Sequence, residues 1–290
     1  MIGEHEPTLR MRRRQTAGDV LRSELLMAWT LGSQRILWTA ALLGGLVGTG
    51  TALVFVEVLA AVGGAAASEV DALVGRASVS GAATVALLLG LSSIHLSAGQ
   101  RSTGRQRLTH QMVPATSRTF VARVVVAGGI AAGVAVAAFL TGAILVAGVC
   151  ALTGRTADAL GAHGLAIFAC TTAGVTLTVV LAAAIGLVAR HGVVGATAFL
   201  GIMVIGPAAL GTVGATASLE ALSWAATALP AGRLGAVVES AAVGDAEGAL
   251  AALAALLAWA AAALGLAYAV WRAEGAARPG RGQATPGRAR

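Results

Sequence analysis

The chain contains no lysine: all 20 of its basic residues are arginine, set against 13 aspartates and glutamates. Lysine is the residue a phosphate-binding loop uses to reach a nucleotide, and the G-x-x-x-x-G-K-[ST] pattern is missing too, so the chain is not expected to hydrolyse ATP by itself. Cysteine is almost as scarce. Cys150 and Cys170 are the whole complement, too few for a disulfide framework or a Cys-based metal cluster, and both are expected as free packing thiols in adjacent helices. The five histidines, His5, His95, His110, His163 and His191, are scattered without ligand spacing. Neither H-E-x-x-H nor a G-x-S-G intramembrane protease motif occurs. Ser92 and His95 stand three apart, as a nucleophile and base on one helix face would, but no third orienting group accompanies them. No catalytic residue, metal site or cofactor is therefore expected.

Charge is sparse as well. Only 11% of residues are charged and 57% are hydrophobic, with a mean hydropathy of +0.82, which describes a chain whose main solvent is lipid. The arginines flank apolar runs, the pattern left by membrane topology, and this argues against a nucleic-acid partner. Arginine, alanine and glycine in such abundance suit a GC-rich bacterial genome.

Six apolar spans are expected, giving an all-α polytopic membrane protein. Residues 1–35 form a cytoplasmic arm and interfacial helix, 36–271 the transmembrane domain, and 272–290 a Gly, Pro and Arg tail expected to be disordered. The arm carries Arg10, Arg12, Arg13 and Arg14 and is too long before the first apolar run for an ordinary signal peptide. From Asp19, read as an N-cap, to Ile36 a helix places Leu21, Leu25, Ala28, Trp29, Gly32 and Ile36 on one arc, with Arg22, Ser23, Thr30, Ser33 and Gln34 largely opposite. The first span, Ile36 to Val62, carries Gly44 and Gly48 at the small-xxx-small spacing that lets helices approach closely in lipid, and Glu57 near its far end is expected to snorkel to water. The second runs from about Ala77 to Leu96. The third, Val121 to Leu152, repeats the small-residue spacing at Gly129 and Gly133.

The fourth span, Leu165 to Ala189, holds Thr171, Thr172, Thr176 and Thr178, whose hydroxyls are expected to bond to carbonyls of their own helix rather than line a path. The fifth ends near Gly214 and is expected to kink at Pro207. Residues 215–248 are too polar for a full span, because Glu220, Arg233, Glu239, Asp245 and Glu247 interrupt every apolar window. Two short interfacial or re-entrant helices broken at Pro230 are expected there, with Asp245 capping a sixth span from Ala246 to Trp271.

Orientation follows from arginine. With both termini cytoplasmic, seventeen arginines lie inside and three, Arg76, Arg155 and Arg233, lie outside. The loop 99–123, GQRSTGRQRLTHQMVPATSRTFVAR, has five arginines and no acid, and with the arm it forms the surface offered to a cytoplasmic partner. Pro114 divides it, and Ser117 is expected to cap the helix that enters the third span.

This layout resembles the ABC type-2 permeases, the membrane subunits of bacterial exporters. In that family an interfacial helix opens with a pattern like S-E-x-x-K, here Ser23-Glu24-Leu25-Leu26-Met27, and a loop between spans two and three reads E-x-x-x-G-T, then T-x-P-x-x-R, then a lysine entering span three. Here Gln100 stands near the place of the acid, Gly104-Arg105 that of Gly-Thr, Pro114 to Arg118 reads P-x-x-x-R, and Arg123 stands where the lysine would be. A broken hairpin between spans five and six, often with Leu-Pro, matches Leu229-Pro230. The resemblance implies a permease for drugs, antibiotics, peptides, lipids or polysaccharides that pairs with a second, identical or homologous permease in the bacterial inner membrane. It also implies a separate ABC ATPase subunit, contacted through Arg22, Arg101, Arg105, Arg107, Pro114 and Arg118. A secondary transporter would instead show inverted repeats and mid-membrane ionisable residues, and a scaffold or sensor-associated subunit would not transport at all.

Overall fold

The computed structural model describes residues 16–62, 70, 73–74, 76–102, 116–154, 161–189, 191–217 and 219–276. Among these residues every regular element is helical. In chain order they are α1 (Ala17–Thr30), α2 (Gly32–Ala61), α3 (Ala82–Ser102), α4 (Thr116–Thr153), α5 (Ala162–Val188), α6 (Gly192–Leu200), a π turn (Gly201–Ile205), α7 (Gly206–Thr216), α8 (Glu220–Ala228), α9 (Pro230–Val243) and α10 (Ala246–Ala276). Six helical stretches, α2, α3, α4, α5, α6 through α7, and α10, are long and apolar enough to cross a membrane, so the chain is an all-α multi-pass membrane protein.

The first helix departs from the sequence pattern at both ends. Thr16, not Asp19, is the N-cap; its hydroxyl accepts from the Asp19 amide at 3.3 Å while the Asp19 carboxylate accepts from the Thr16 amide at 3.0 Å, a closed capping box. The helix ends at Thr30 rather than Ile36 because Leu31 is extended (φ −74°, ψ 112°), and Ile36 belongs to the first span. Arg35 reaches back across this corner, its Nε donating to the Trp29 carbonyl at 2.8 Å, and so caps the C-terminal end of α1 with a cation.

The fourth span, α5, is the centre of the bundle and packs against α3, α4, α9 and α10, while α2 lies outside against α3 and α4. The main core joins Leu89 of α3, Phe139 of α4, Val179 of α5, Phe199 of α6, Val237 of α9 and Leu256 of α10. Two smaller clusters cap it. One, with Leu53, Val74, Val146 and Cys150, sits where α2 and α4 end; the other, with Phe120, Leu187 and Trp271, sits where α4 begins and α5 and α10 end. Cys150 lies in the first of these and Cys170 against the main core, both as free thiols.

The two small-residue pairs have different surroundings. A Cβ on Gly48 would stand 2.6 Å from the Gly81 Cα, and one on Gly44 2.8 Å from the Thr84 methyl, so the first span lies against the start of the second at a distance only glycine permits. Gly129 and Gly133 are exposed and meet nothing within 4 Å.

Next to Pro207, where a kink is expected, the helix of the fifth span is irregular. Just ahead of the proline the chain widens into the π turn Gly201–Ile205, which α7 follows directly; in a regular helix a proline ring would crowd the carbonyl four residues earlier. The hairpin before the last span forms as α8 and α9, broken at an extended Leu229 (φ −67°, ψ 156°) as Pro230 requires of its predecessor. With 9 and 14 residues these helices are about 14 and 21 Å long, too short to cross a core of roughly 30 Å. Gly244, at φ 80°, closes α9, and Asp245 caps α10 by accepting from the Gly248 amide at 2.9 Å. The last helix runs to Ala276, past the expected end at Trp271, so residues 272–276 are helical rather than tail; 277–290 lie outside the described residues.

Candidate functional site at the N-terminal helix

The buried stripe of α1 is Val20, Glu24 and Ala28, spaced four apart, and it faces α4. The expected apolar arc is only partly the contact face, since Leu21, Leu25 and Trp29 are exposed. A carboxylate in the middle of a buried stripe needs a partner, and Arg123 supplies it. Its Nε donates to Glu24 Oε1 at 3.2 Å, with the two residues 6% and 7% exposed. The Arg123 guanidinium also lies 5.2 Å from the centre of the Trp271 ring, within cation–π range. Phe120 supports that ring edge-on at 6.0 Å and meets Tyr268 at 5.4 Å, while Arg272 stands 5.9 Å from the Tyr268 ring. One charged pair thereby ties three elements together: the N-terminal helix, the start of the third span and the end of the sixth.

A second polar tie joins the first and second spans close by. Gln34, expected on a polar face, is 1% exposed and donates from Nε2 to the Ser92 carbonyl at 3.2 Å; the Ser92 hydroxyl donates to Gln34 Oε1, and the Trp38 indole donates to the same hydroxyl at 3.1 Å. These partners commit Ser92 to structure, and His95, three residues on, is exposed. Trp29 packs on Trp38 with ring centres 5.8 Å apart, covering the corner between α1 and α2.

Of the residues assigned to partner contact, Arg22 is exposed on α1 and Arg118 is exposed on the first turn of α4. Arg118 lines a surface pocket of about 380 Å³ between these helices, together with Gly18, Leu21, Ser117 and Val121. Ser117 lies inside α4, so it is not the cap of that helix. Arg101 falls in the last turn of α3, and Arg105, Arg107 and Pro114 lie outside the described residues. In the fourth span Thr176 and Thr178 donate to the carbonyls of Thr172 and Gly174 on their own helix at 2.8 and 2.9 Å, whereas the Thr171 and Thr172 hydroxyls are buried without a partner. Glu57 is half-buried near the end of α2. Among the described residues no group of three or more His, Cys, Asp or Glu side chains comes together in a metal-binding arrangement.

No protein-family model matches the chain, and no curated protein matches it in sequence.

Proposed function

We propose that this chain is the membrane subunit of an ATP-driven exporter of the ABC type-2 permease kind, seated on a separate ATPase through its N-terminal helix and its basic loop. The observation that carries the reading is the buried Glu24–Arg123 pair. It joins the acid of the Ser23-Glu24 motif to the basic residue that stands at the entry of the third span, two of the positions the resemblance draws on.

The mechanism follows from how that pair divides the structure. A short helix lying against the ends of spans transmits force only if it is fixed to them. Glu24 fixes α1 to α4, and Trp271 extends the link to α10. The loop 99–123 runs directly into α4, so displacement of either the loop or α1 by a partner moves the third and sixth spans together. Exposed Arg22 and Arg118 give this surface positive charge, and with Arg105 and Arg107 it suits an acidic groove on the ATPase. Both termini would face the cytoplasm, following the seventeen-to-three arginine asymmetry, in the cell membrane. The exposed Gly129–Gly133 face of the third span is open to a second permease.

Reversing Arg105 and Arg107 together to glutamate tests the reading. The reversed chain should insert and fold normally yet lose its ATPase when affinity-purified from its own membranes. Attraction to anionic lipid headgroups, about 1 kcal/mol per arginine, would instead tolerate lysine at both sites and lower only membrane yield on reversal. A reversed variant that retains an ATPase at wild-type stoichiometry contradicts the proposal.

A further inference from the structure

A cavity lies away from the N-terminal helix, where the connector between the first two spans meets the π turn of the fifth span and the hairpin helix α9. Its volume is about 520 Å³, within the range of small-ligand sites. Leu87, Met203, Leu234 and Val238 make most of its wall apolar. Two charges break that wall. Arg76 contributes a guanidinium whose Nε is shut off from solvent and has no hydrogen-bond partner, and Glu239 on α9 contributes an exposed carboxylate. Among the described residues, neither side chain takes part in an ion pair or hydrogen bond.

A buried guanidinium nitrogen without a partner is costly, because a lost hydrogen bond to a charged group forfeits its full desolvation penalty. Water satisfies such a group in an open polar cleft, but this wall is mainly apolar. A purely anionic ligand would satisfy Arg76 while meeting Glu239 with like charge. A purely apolar ligand would leave both charges unmet. What matches the whole lining is a neutral amphiphile with an anion and a cation at one end and hydrocarbon at the other.

We infer that this cavity binds a zwitterionic phospholipid, its phosphate on Arg76, its ammonium toward Glu239 and an acyl chain along Leu87, Met203 and Val238. The inference rests on the chain being a membrane protein and stands without the exporter reading. Because α9 forms one wall and the π turn another, an occupied cavity would hold the hairpin against the second and fifth spans.

The test is lipid retention by the purified full-length chain. Dioleoyl phosphatidylethanolamine and dioleoyl phosphatidylglycerol are offered at equal concentration in maltoside detergent, and bound lipid is counted by native mass spectrometry. The wild type should retain the ethanolamine lipid about tenfold over the glycerol lipid, the scale of one charge-assisted hydrogen bond. Glu239→Gln should remove that preference, Arg76→Gln should lower retention of both lipids, and Val238→Trp, which fills the cavity without altering charge, should lower retention of the ethanolamine lipid. If Arg76→Gln fails to fold, judged by circular dichroism and elution profile, the other two variants decide. Preference for phosphatidylglycerol in the wild type, or unchanged retention in Glu239→Gln and Val238→Trp, overturns the inference.

Discussion

Removing Glu24 or Arg123 should cost far more than removing any exposed charge on the same surface. At 3.2 Å and an effective dielectric of about 20, the two charges attract by roughly 5 kcal/mol, much of it offset by their desolvation. Breaking a buried pair from one side strands the other charge, which costs about 3 to 5 kcal/mol. Glu24→Ala belongs at the low end, about 3 kcal/mol, because Arg123 keeps its contact with Trp271. Arg123→Ala should cost about 1 kcal/mol more, since it gives up the cation–π contact as well as stranding a carboxylate. For a chain of this size 1 kcal/mol moves the melting temperature by about 2 °C, so the single variants should melt about 6 and 8 °C lower in detergent. Glu24→Ala with Arg123→Ala completes a double-mutant cycle, whose coupling should be about 2 kcal/mol. Arg22→Ala and Arg118→Ala, both exposed, should change stability by less than about 0.5 kcal/mol. A coupling below about 0.5 kcal/mol would mean that α1 is not held by this pair, and the transmission argument would fail with it.

Other outcomes follow from the packing. Ser92→Ala keeps the Gln34 Nε2 bond to the backbone carbonyl but leaves Gln34 Oε1 and the Trp38 indole without the hydroxyl, and should destabilise by about 1 to 3 kcal/mol in thermal unfolding, whereas His95→Ala should be nearly neutral. Gly48→Ala sets a methyl against the Gly81 backbone and should cost about 1 to 3 kcal/mol, while Gly129→Ala should be neutral or stabilising in the isolated chain and weaken only the proposed pairing with a second membrane subunit. Trp259 donates to the Ala228 carbonyl at 3.1 Å, so Trp259→Phe should speed amide hydrogen exchange in residues 220–229 without altering exchange in α5.

Much of this architecture is legible in the sequence because the dominant signals are local. Apolar runs bounded by arginine mark the spans, Pro230 fixes the break in the hairpin, and Asp245 three residues ahead of Gly248 is a recognisable cap. What escapes is long-range pairing. Glu24 and Arg123 are both visible as motif residues, yet nothing in a 99-residue separation says that they touch; the available clue was an acid placed four residues from each of two small apolar positions, Val20 and Ala28, on one helical stripe. Gln34 misleads for a related reason. Its helical phase continues the polar face of α1 only if the helix is unbroken, and the extended Leu31 resets that phase so that Gln34 turns inward. The two glycine pairs share one spacing and differ only in what packs opposite, which their own helices do not encode. The π turn before Pro207 is equally hidden, because proline announces a disturbance without saying how the chain absorbs it.

The most direct test of the exporter account is ATP hydrolysis by the complex purified through a tag on this chain and reconstituted in lipid. The account predicts an ATP-binding subunit equimolar with this chain and a hydrolysis rate that falls to background when the chain carries Arg105→Glu with Arg107→Glu. A chain that purifies without any ATP-binding subunit from cells expressing its genomic neighbours, or a complex that hydrolyses ATP equally well with the reversed loop, would contradict it.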